Sequence, residues 1–132
     1  MLRETVIALQ ECLLAEFGGL GGLRDEGLLD SALNRPRHRF LHDEPSLFEL
    51  AAAYAFGLVR NHPFLDGNKR IGFATAVVFL EVNRFEFHAD EADATLQTLA
   101  LAAHELDGRG YAHWLEANSR KPRRTRRRRP RK

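Results

Sequence analysis

Between residues 62 and 70 the sequence HPFLDGNKR gathers a histidine, an aspartate, an asparagine, a lysine and an arginine into nine positions. The segments on both sides of it, LAAAYAFGLV and IGFATAVVFL, are almost wholly apolar. Each polar residue type suits one part of a phosphate-transfer reaction. Gly67, Asn68, Lys69 and Arg70 stand where a helix would begin, and the first backbone N–H groups of a helix have no partner within it. Glycine permits the positive φ that turns successive N–H groups into one concavity, and a lysine and an arginine beside them complete an anion site that fits phosphate. Asp66, just before, is a carboxylate of the kind that holds Mg²⁺ beside a polyphosphate. A histidine at position 62 can take a proton from an attacking hydroxyl. Base, metal ligand and phosphate cradle within nine residues imply phosphoryl or nucleotidyl transfer, in which positioning and charge neutralisation supply most of the catalysis. The same residues also fit a plainer role: His-Pro ends a helix, Asp-Gly-Asn makes a favourable turn, and Lys-Arg is solvated. Other nucleotide signatures are absent. There is no GxxxxGK[ST], and GGLGGLRD (18 to 25) fails GxGxxG because Arg24 replaces the last glycine.

The elements that must position this cluster read as helices. Leu2, Val6, Leu9, Leu13 and Phe17 step at threes and fours, and Gly18-Gly19 ends that first helix. Asp25 is the expected N-cap of a short second helix carrying Leu28, Leu29, Ala32 and Leu33, stopped before Pro36. PRHRFLHDEP (36 to 45) is expected to be a loop bounded by prolines. Ser46 and Glu49 form a capping box that opens a helix from about 47 to 60, and Pro63 forces His62 out of the helical region. A further helix runs from about Asn68 to Asn83. Nine of the ten residues from Ile71 to Leu80 are nonpolar, which predicts burial on all sides. RFEFHAD is a connector with at most a short extended piece. A helix opened by Asp90 or Asp93 should reach Leu106 and be broken by Asp107-Gly108, and YAHWLEA gives a last short one. The class is all-α, with no internal repeat.

Composition sets the bounds. The chain has 132 residues, enough for one domain, with 44% hydrophobic and 29% charged residues, as in a soluble globular protein. A single cysteine, Cys12, precludes an internal disulfide and reads as a buried small hydrophobe. No apolar run is long enough to span a bilayer and the first residues do not resemble a signal peptide, so a cytoplasmic protein with no membrane partner is expected. The net charge of +2 is uneven: residues 120 to 132, RKPRRTRRRRPRK, hold ten of the twenty basic residues and no acid. Residues 1 to 119 therefore carry ten basic against eighteen acidic side chains, a net of −8. The expected division is a domain over 1–119 and a disordered Arg-rich tail over 120–132, suited to weak nucleic-acid contact or to no specific role.

The stretch from His62 to Arg70 resembles the Fic/Doc superfamily, matching its core motif H-P-F-x-[D/E]-G-N-[G/K]-R at every position. Lys69, where Fic adenylyltransferases have glycine, is similar to the death-on-curing (Doc) branch. EFGGLGGLRDEGLLDSALNRP, LAAAYAFGLVRNHPF, VVFLEVN and the closing LALAAHELD and AHWLEANS extend the likeness over about residues 5 to 119. The resemblance implies a compact bundle of about six helices with the motif at the N-terminus of the central buried one. It also implies that His62 is the base, that Asp66 holds Mg²⁺, and that Gly67, Asn68, Lys69 and Arg70 bind the phosphates of ATP. Doc-type toxins act as protein kinases on a hydroxyl of a target, of which translation elongation factor Tu is the known type, and a cognate antitoxin inserts a helical segment near the site. The alternatives are a Fic-type protein adenylyltransferase, and a non-catalytic binding module with a nucleic-acid-binding tail. Phe73 stands where Fic enzymes usually carry a second arginine, which favours phosphate over AMP transfer. Gln10 and Arg84 replace a histidine and a glycine common in Doc relatives, positions not expected to touch the chemistry. The family further implies that 36–45 is a flap beside the site, with Arg37, Arg39 and Phe40 serving it.

The remaining polar residues suggest less. His38 and His42 are four apart, a zinc-binding spacing on a helix, but the prolines and the lack of a third ligand argue against a metal site. Arg60 fits either a phosphate-side role or a helix-end charge compensating the dipole. His88, His104 and His113 show no partners, and Tyr111 with Trp114 should staple the last helix to the core.

Overall fold

The computed structural model describes residues 1 to 122, so most of the Arg-rich tail, including its expected disorder, lies outside the described residues. The described residues form six helices: α1 (Arg3–Phe17), α2 (Glu26–His42), α3 (Leu47–Asn61), α4 (Asn68–Val82), α5 (Glu91–Ala102) and α6 (Gly108–Ala117). Two two-residue strands, β1 (Glu86–Phe87) and β2 (Ser119–Arg120), pair antiparallel with Glu86 opposite Arg120. The expected all-α architecture is thus present, and the extended piece is confined to this clip. None of the described helices is long and apolar enough to cross a membrane.

Helix α3 is the axis, packed against α2, α4, α5 and α6. Its Ser46–Glu49 capping box forms as expected: the Ser46 hydroxyl accepts from the Glu49 N–H at 3.1 Å and the Glu49 carboxylate from the Ser46 N–H at 3.3 Å. That backbone hydrogen bond, joined by Arg39, holds the Glu49 carboxyl below its usual range against a smaller opposing effect of burial. Nine of the fifteen residues of α3 are buried, four of them alanines, and such small side chains let neighbouring helices approach. On one side Ala51, Ala52 and Ala55 meet Leu80, Leu101, Tyr111 and Leu115; on the other Tyr54 and Leu58 meet Val6, Leu29, Leu33, Phe64 and Ile71. Tyr111 is fully buried, its hydroxyl 2.9 Å from Thr98 Oγ1, and the Trp114 indole donates to Asp93 at 2.8 Å, so the two aromatics do fix α6. Burial pushes the Tyr111 hydroxyl far above its usual pKa.

Four expectations about the fold need correction. The segment 36–42 is not a loop: α2 continues through Pro36 to His42. Pro36 extends the buried stripe of Leu29, Ala32 and Leu33, and packing on α3 outweighs the amide hydrogen bond that proline removes. The Ala32 carbonyl that a Pro36 N–H would have met faces Gly57 instead; a Cβ there would lie 3.1 Å from it. His38 and His42 thereby share a helix face, their ring centroids 4.3 Å apart, yet no group of three metal-binding side chains occurs among the described residues. Cys12 is exposed, because α1 buries Val6 and Gln10 and presents Cys12 outward. Helix α5 ends at Ala102, well before Leu106, with His104 in a left-handed conformation, and Asp107 caps α6 by accepting from Gly110 N–H at 2.7 Å. Finally, α4 is not enclosed all round: Phe73, Ala74 and Val77 are only half-buried.

Where α3 and α4 cross, Gly72 is the contact. A Cβ at that position would stand 2.7 Å from Val59 Cγ2 and 3.1 Å from the Ala55 carbonyl oxygen. Gly72→Ala should lower the unfolding free energy by about 1–2 kcal/mol, overpacking outweighing the helix-propensity gain of roughly 1 kcal/mol. A urea titration measures it, and an unchanged midpoint would mean that the two helices can move apart freely.

Candidate active site

The motif is the turn joining the antiparallel pair α3 and α4. Helix α3 ends because His62, preceding Pro63, cannot remain helical; it adopts the left-handed conformation (φ 50°, ψ 54°). Pro63 and Phe64 are buried, and Phe64 is a member of the core beside Leu58 and Ile71. Leu65 and Asp66 turn back out to solvent. Gly67 then takes φ 75° and opens α4, a conformation that glycine adopts without penalty from a Cβ.

Asn68 closes this turn. Its side-chain oxygen accepts from the Phe64 N–H and its amide donates to the Phe64 carbonyl, both at 3.0 Å and buried. Both ends of that side chain are thus occupied, and only the backbone N–H of Asn68 faces the start of the helix. No side chain caps α4, so the N–H groups of residues 68 to 70 have no acceptor within the helix. Asp66 Oδ1 accepts from the Gly67 N–H at 2.8 Å, while Oδ2 lies 3.4 Å from Leu20 N. Gly19, at φ 121°, permits that approach, since a Cβ on it would stand 2.8 Å from Asp66 Oδ2.

Asp66, Gly67, Asn68, Lys69 and Arg70 line one end of a single groove of about 880 Å³. Its floor is the open face of α4 (Phe73, Ala74 and Val77), and its far wall is α5. Phe73 is held by aromatic neighbours, its ring centroid 5.8 Å from Phe87 and 6.1 Å from Trp114. The Arg70 guanidinium stacks over the Phe17 ring, 4.5 Å from its centroid. One carboxylate among these cations suits Mg²⁺, which takes one or two carboxylates and completes its shell with phosphate oxygens and water. His62 does not line the groove. It stands exposed at the other end of the same turn, with Nδ1 3.4 Å from the Arg60 carbonyl oxygen. When Nδ1–H donates there, Nε2 carries the lone pair and is free to accept a proton.

Other residues fall away from the site or come to it unannounced. Arg39 pairs with Glu49 at 2.9 Å. Glu49 is thirteen residues before His62, so at 1.5 Å per residue it sits, with the Arg39 head group beside it, about 20 Å from His62. Arg37 lies near the Met1 amine, whose pKa is lowered by burial and then by that charge. Neither arginine lines the groove. Arg60 lies over Phe56, 5.5 Å from its centroid, and against His104, which therefore does have a partner. Gln10 was expected to be remote from the chemistry, yet it is buried and donates through Nε2 to the Asp66 carbonyl at 2.8 Å. A polar residue on the inner face of an amphipathic helix is the signal that could have found it. Arg24 donates through Nε to the His62 carbonyl at 2.7 Å and through Nη2 to the Asn61 carbonyl at 2.9 Å.

Comparison with known proteins bears on this geometry. A family model described as the Fic/DOC family matches residues 2–80. The "Toxin Doc" of Mycolicibacterium smegmatis (strain ATCC 700084 / mc(2)155) is 38% identical over 97 residues, which cover 69% of this chain and 75% of that protein. The "Protein kinase doc" of Escherichia phage P1 is 36% identical over 113 residues, covering 85% of this chain and 89% of that one.

Gln10 offers a direct check on how the loop is held. Gln10→Leu leaves the Asp66 carbonyl without its protein partner, which should cost about 0.5–1.5 kcal/mol. Amide hydrogen exchange at Gly67 and Asn68 should accelerate relative to the α3 core. Parent-like exchange at both would show that the loop does not rely on Gln10.

Proposed function

The chain belongs to the Fic/DOC family, and on that premise we propose that it is a Doc-type toxin acting as a protein kinase, which moves the terminal phosphate of ATP to a hydroxyl of a target protein. The names of these two relatives, a toxin and a protein kinase, support this assignment. The target class we infer is a translation factor of the elongation factor Tu type, whose modification arrests protein synthesis. A cognate antitoxin is the second partner, and the apolar floor of the groove suits a helical segment of it.

The residues divide the work. The acceptor hydroxyl gives its proton to Nε2 of His62 as its oxygen bonds to the γ phosphorus. The bond from that phosphorus to the β–γ bridging oxygen breaks, and ADP leaves with the electron pair. Lys69, Arg70 and the free N–H groups of residues 68 to 70 hold the phosphates and face the charge that develops on them. Asp66 would hold a nucleotide-bound Mg²⁺, whose charge offsets that of the phosphates. Gln10 keeps the Asp66–Gly67 peptide in place beneath them.

One observation carries phosphate over AMP transfer. Lys69 adds a cation at the second residue of an uncapped helix, while one turn on Phe73 is locked among Phe87 and Trp114. The small space that glycine would leave is filled, and the second arginine of Fic enzymes is replaced by an apolar ring. Incubation with ATP labelled at the γ or the α phosphate separates the two reactions. Label should pass to protein from the γ position only. His62→Ala should slow that transfer by about 10²- to 10⁴-fold with the fold retained. Lys69→Gly should slow it roughly tenfold or more, by removal of a charge-assisted phosphate contact. Transfer of α label by the parent would overturn the kinase assignment, and full γ transfer by Lys69→Gly would remove Lys69 from the phosphate site.

A further inference from the structure

His62 carries an uncommon backbone for a residue with a side chain: a left-handed φ, immediately before a proline. Such a conformation persists only where the surroundings over-determine it. What surrounds it is the segment 22–25, the part of GGLGGLRD that reads in sequence as a failed dinucleotide loop. Arg24 N and Asp25 N both donate to the Pro63 carbonyl, at 2.7 and 3.1 Å, and Leu65 N donates to the Gly22 carbonyl at 3.1 Å. A single antiparallel bridge pairs Leu23 with Phe64. The Arg24 guanidinium meanwhile takes two successive carbonyls, those of Asn61 and His62. Three consecutive carbonyl oxygens, 61 to 63, are therefore all fixed from one short strap.

We propose that Arg24 is a positioning residue of the reaction: its fork, set on the Asn61 and His62 carbonyls, holds the left-handed turn from which the imidazole is presented. This rests on the proposed role of His62 as the base. A planar guanidinium suits the task because its donors have a fixed spacing, whereas an ammonium is a single compact head. Both carbonyls lie at the C-terminal end of α3, where a cation is favoured. Among the described residues no carboxylate forms an ion pair with Arg24, so its charge is directed at these carbonyls alone. Arg24 does not line the groove, so its loss should spare nucleotide binding.

The test compares Arg24→Ala and Arg24→Lys with a control for simple destabilisation. Asp25→Ala serves as that control, since it removes the side-chain cap of α2 (Leu28 N–H to Asp25 Oδ1, 3.0 Å) one residue away and leaves the arginine untouched. Per folded molecule, Arg24→Ala should lose about 10- to 100-fold in kcat for γ-phosphate transfer while KM for ATP stays within about twofold, as expected of misplacement rather than lost binding. Arg24→Lys should recover part of the loss, and Asp25→Ala should match the parent. In parallel, the His62 ring resonance, identified by its disappearance in His62→Ala, should shift or broaden in Arg24→Ala and keep its place in Asp25→Ala. Unchanged kcat and an unmoved His62 resonance in Arg24→Ala would overturn the proposal, as would an equal loss in Asp25→Ala. If Arg24→Ala does not fold, parent-like kcat in Arg24→Lys overturns it. If the parent transfers no label at all, the kinase assignment fails, and the resonance alone decides the placement of His62.

Discussion

The side chain of Asn68, turned back on the residue four positions before it, is the contact on which the site depends. By taking both the N–H and the carbonyl of Phe64, it satisfies two polar groups that are buried with the Phe64 ring. Left unpaired, each would cost about 1–3 kcal/mol, and the turn could not sit on the core. With the turn closed, Phe64 points inward and Leu65 and Asp66 outward. Gly67 must then reverse the chain with φ 75° to start α4. The exposed positions that follow are Lys69 and Arg70. A buried amide thus sets the direction in which Lys69, Arg70 and the first N–H groups of α4 face, while its own side chain is fully engaged within the turn.

That turn holds its shape because both helices it joins are rigidly seated. Alanines on α3 and Gly72 on α4 let the backbones approach, and Leu58, Ile71 and Leu80 fill the space beside them. Each fully buried side chain of that kind contributes about 1.5–3 kcal/mol, which is ample to fix the ends of a six-residue loop. The loop adds further ties: Gln10 from α1 below and the 22–25 strap from the side. Helix α1 therefore acts on the turn through Gln10, and the α1–α2 junction acts through glycines that permit close approach and through Arg24, which reaches across to the His62 carbonyl.

Local signals in the sequence were reliable where the physics is local. The Ser46–Glu49 box, the Asp25 and Asp90 caps and the Gly18 stop are where side-chain chemistry places them, because each satisfies groups within a few residues. The motif read as a turn before a helix for the same reason. The failures were tertiary. Pro36 looked like a stop, yet its ring completes an apolar stripe that α3 covers. Cys12 looked buried because its neighbours are leucines, but periodicity alone does not tell which face of α1 meets the core. Gln10 and Arg24 bond carbonyls 56 and 38 residues away, and no local pattern announces such partners. A buried glutamine on an otherwise apolar face, and an arginine beside a glycine run, are weak signs that gain meaning only in the folded chain.

Charge gives the last step. Residues 1 to 119 carry a net charge of −8, a poor background for attracting a polyanion. At physiological salt, exposed charges further apart than about 8 Å are largely screened, so the sum matters less than what borders the start of α4. There the order is reversed: Lys69, Arg70 and three free N–H groups stand against the single carboxylate of Asp66, while Glu91 lies on the opposite wall of the groove. The stack of Arg70 on Phe17 keeps that cation at the groove mouth with its N–H edges open, since an aromatic face attracts the charge without consuming the donors as a carboxylate would. An anion site can therefore sit on an acidic domain, provided that its cations are left unpaired by acids and its helix start is left uncapped. Among the described residues both conditions hold at the N-terminus of α4.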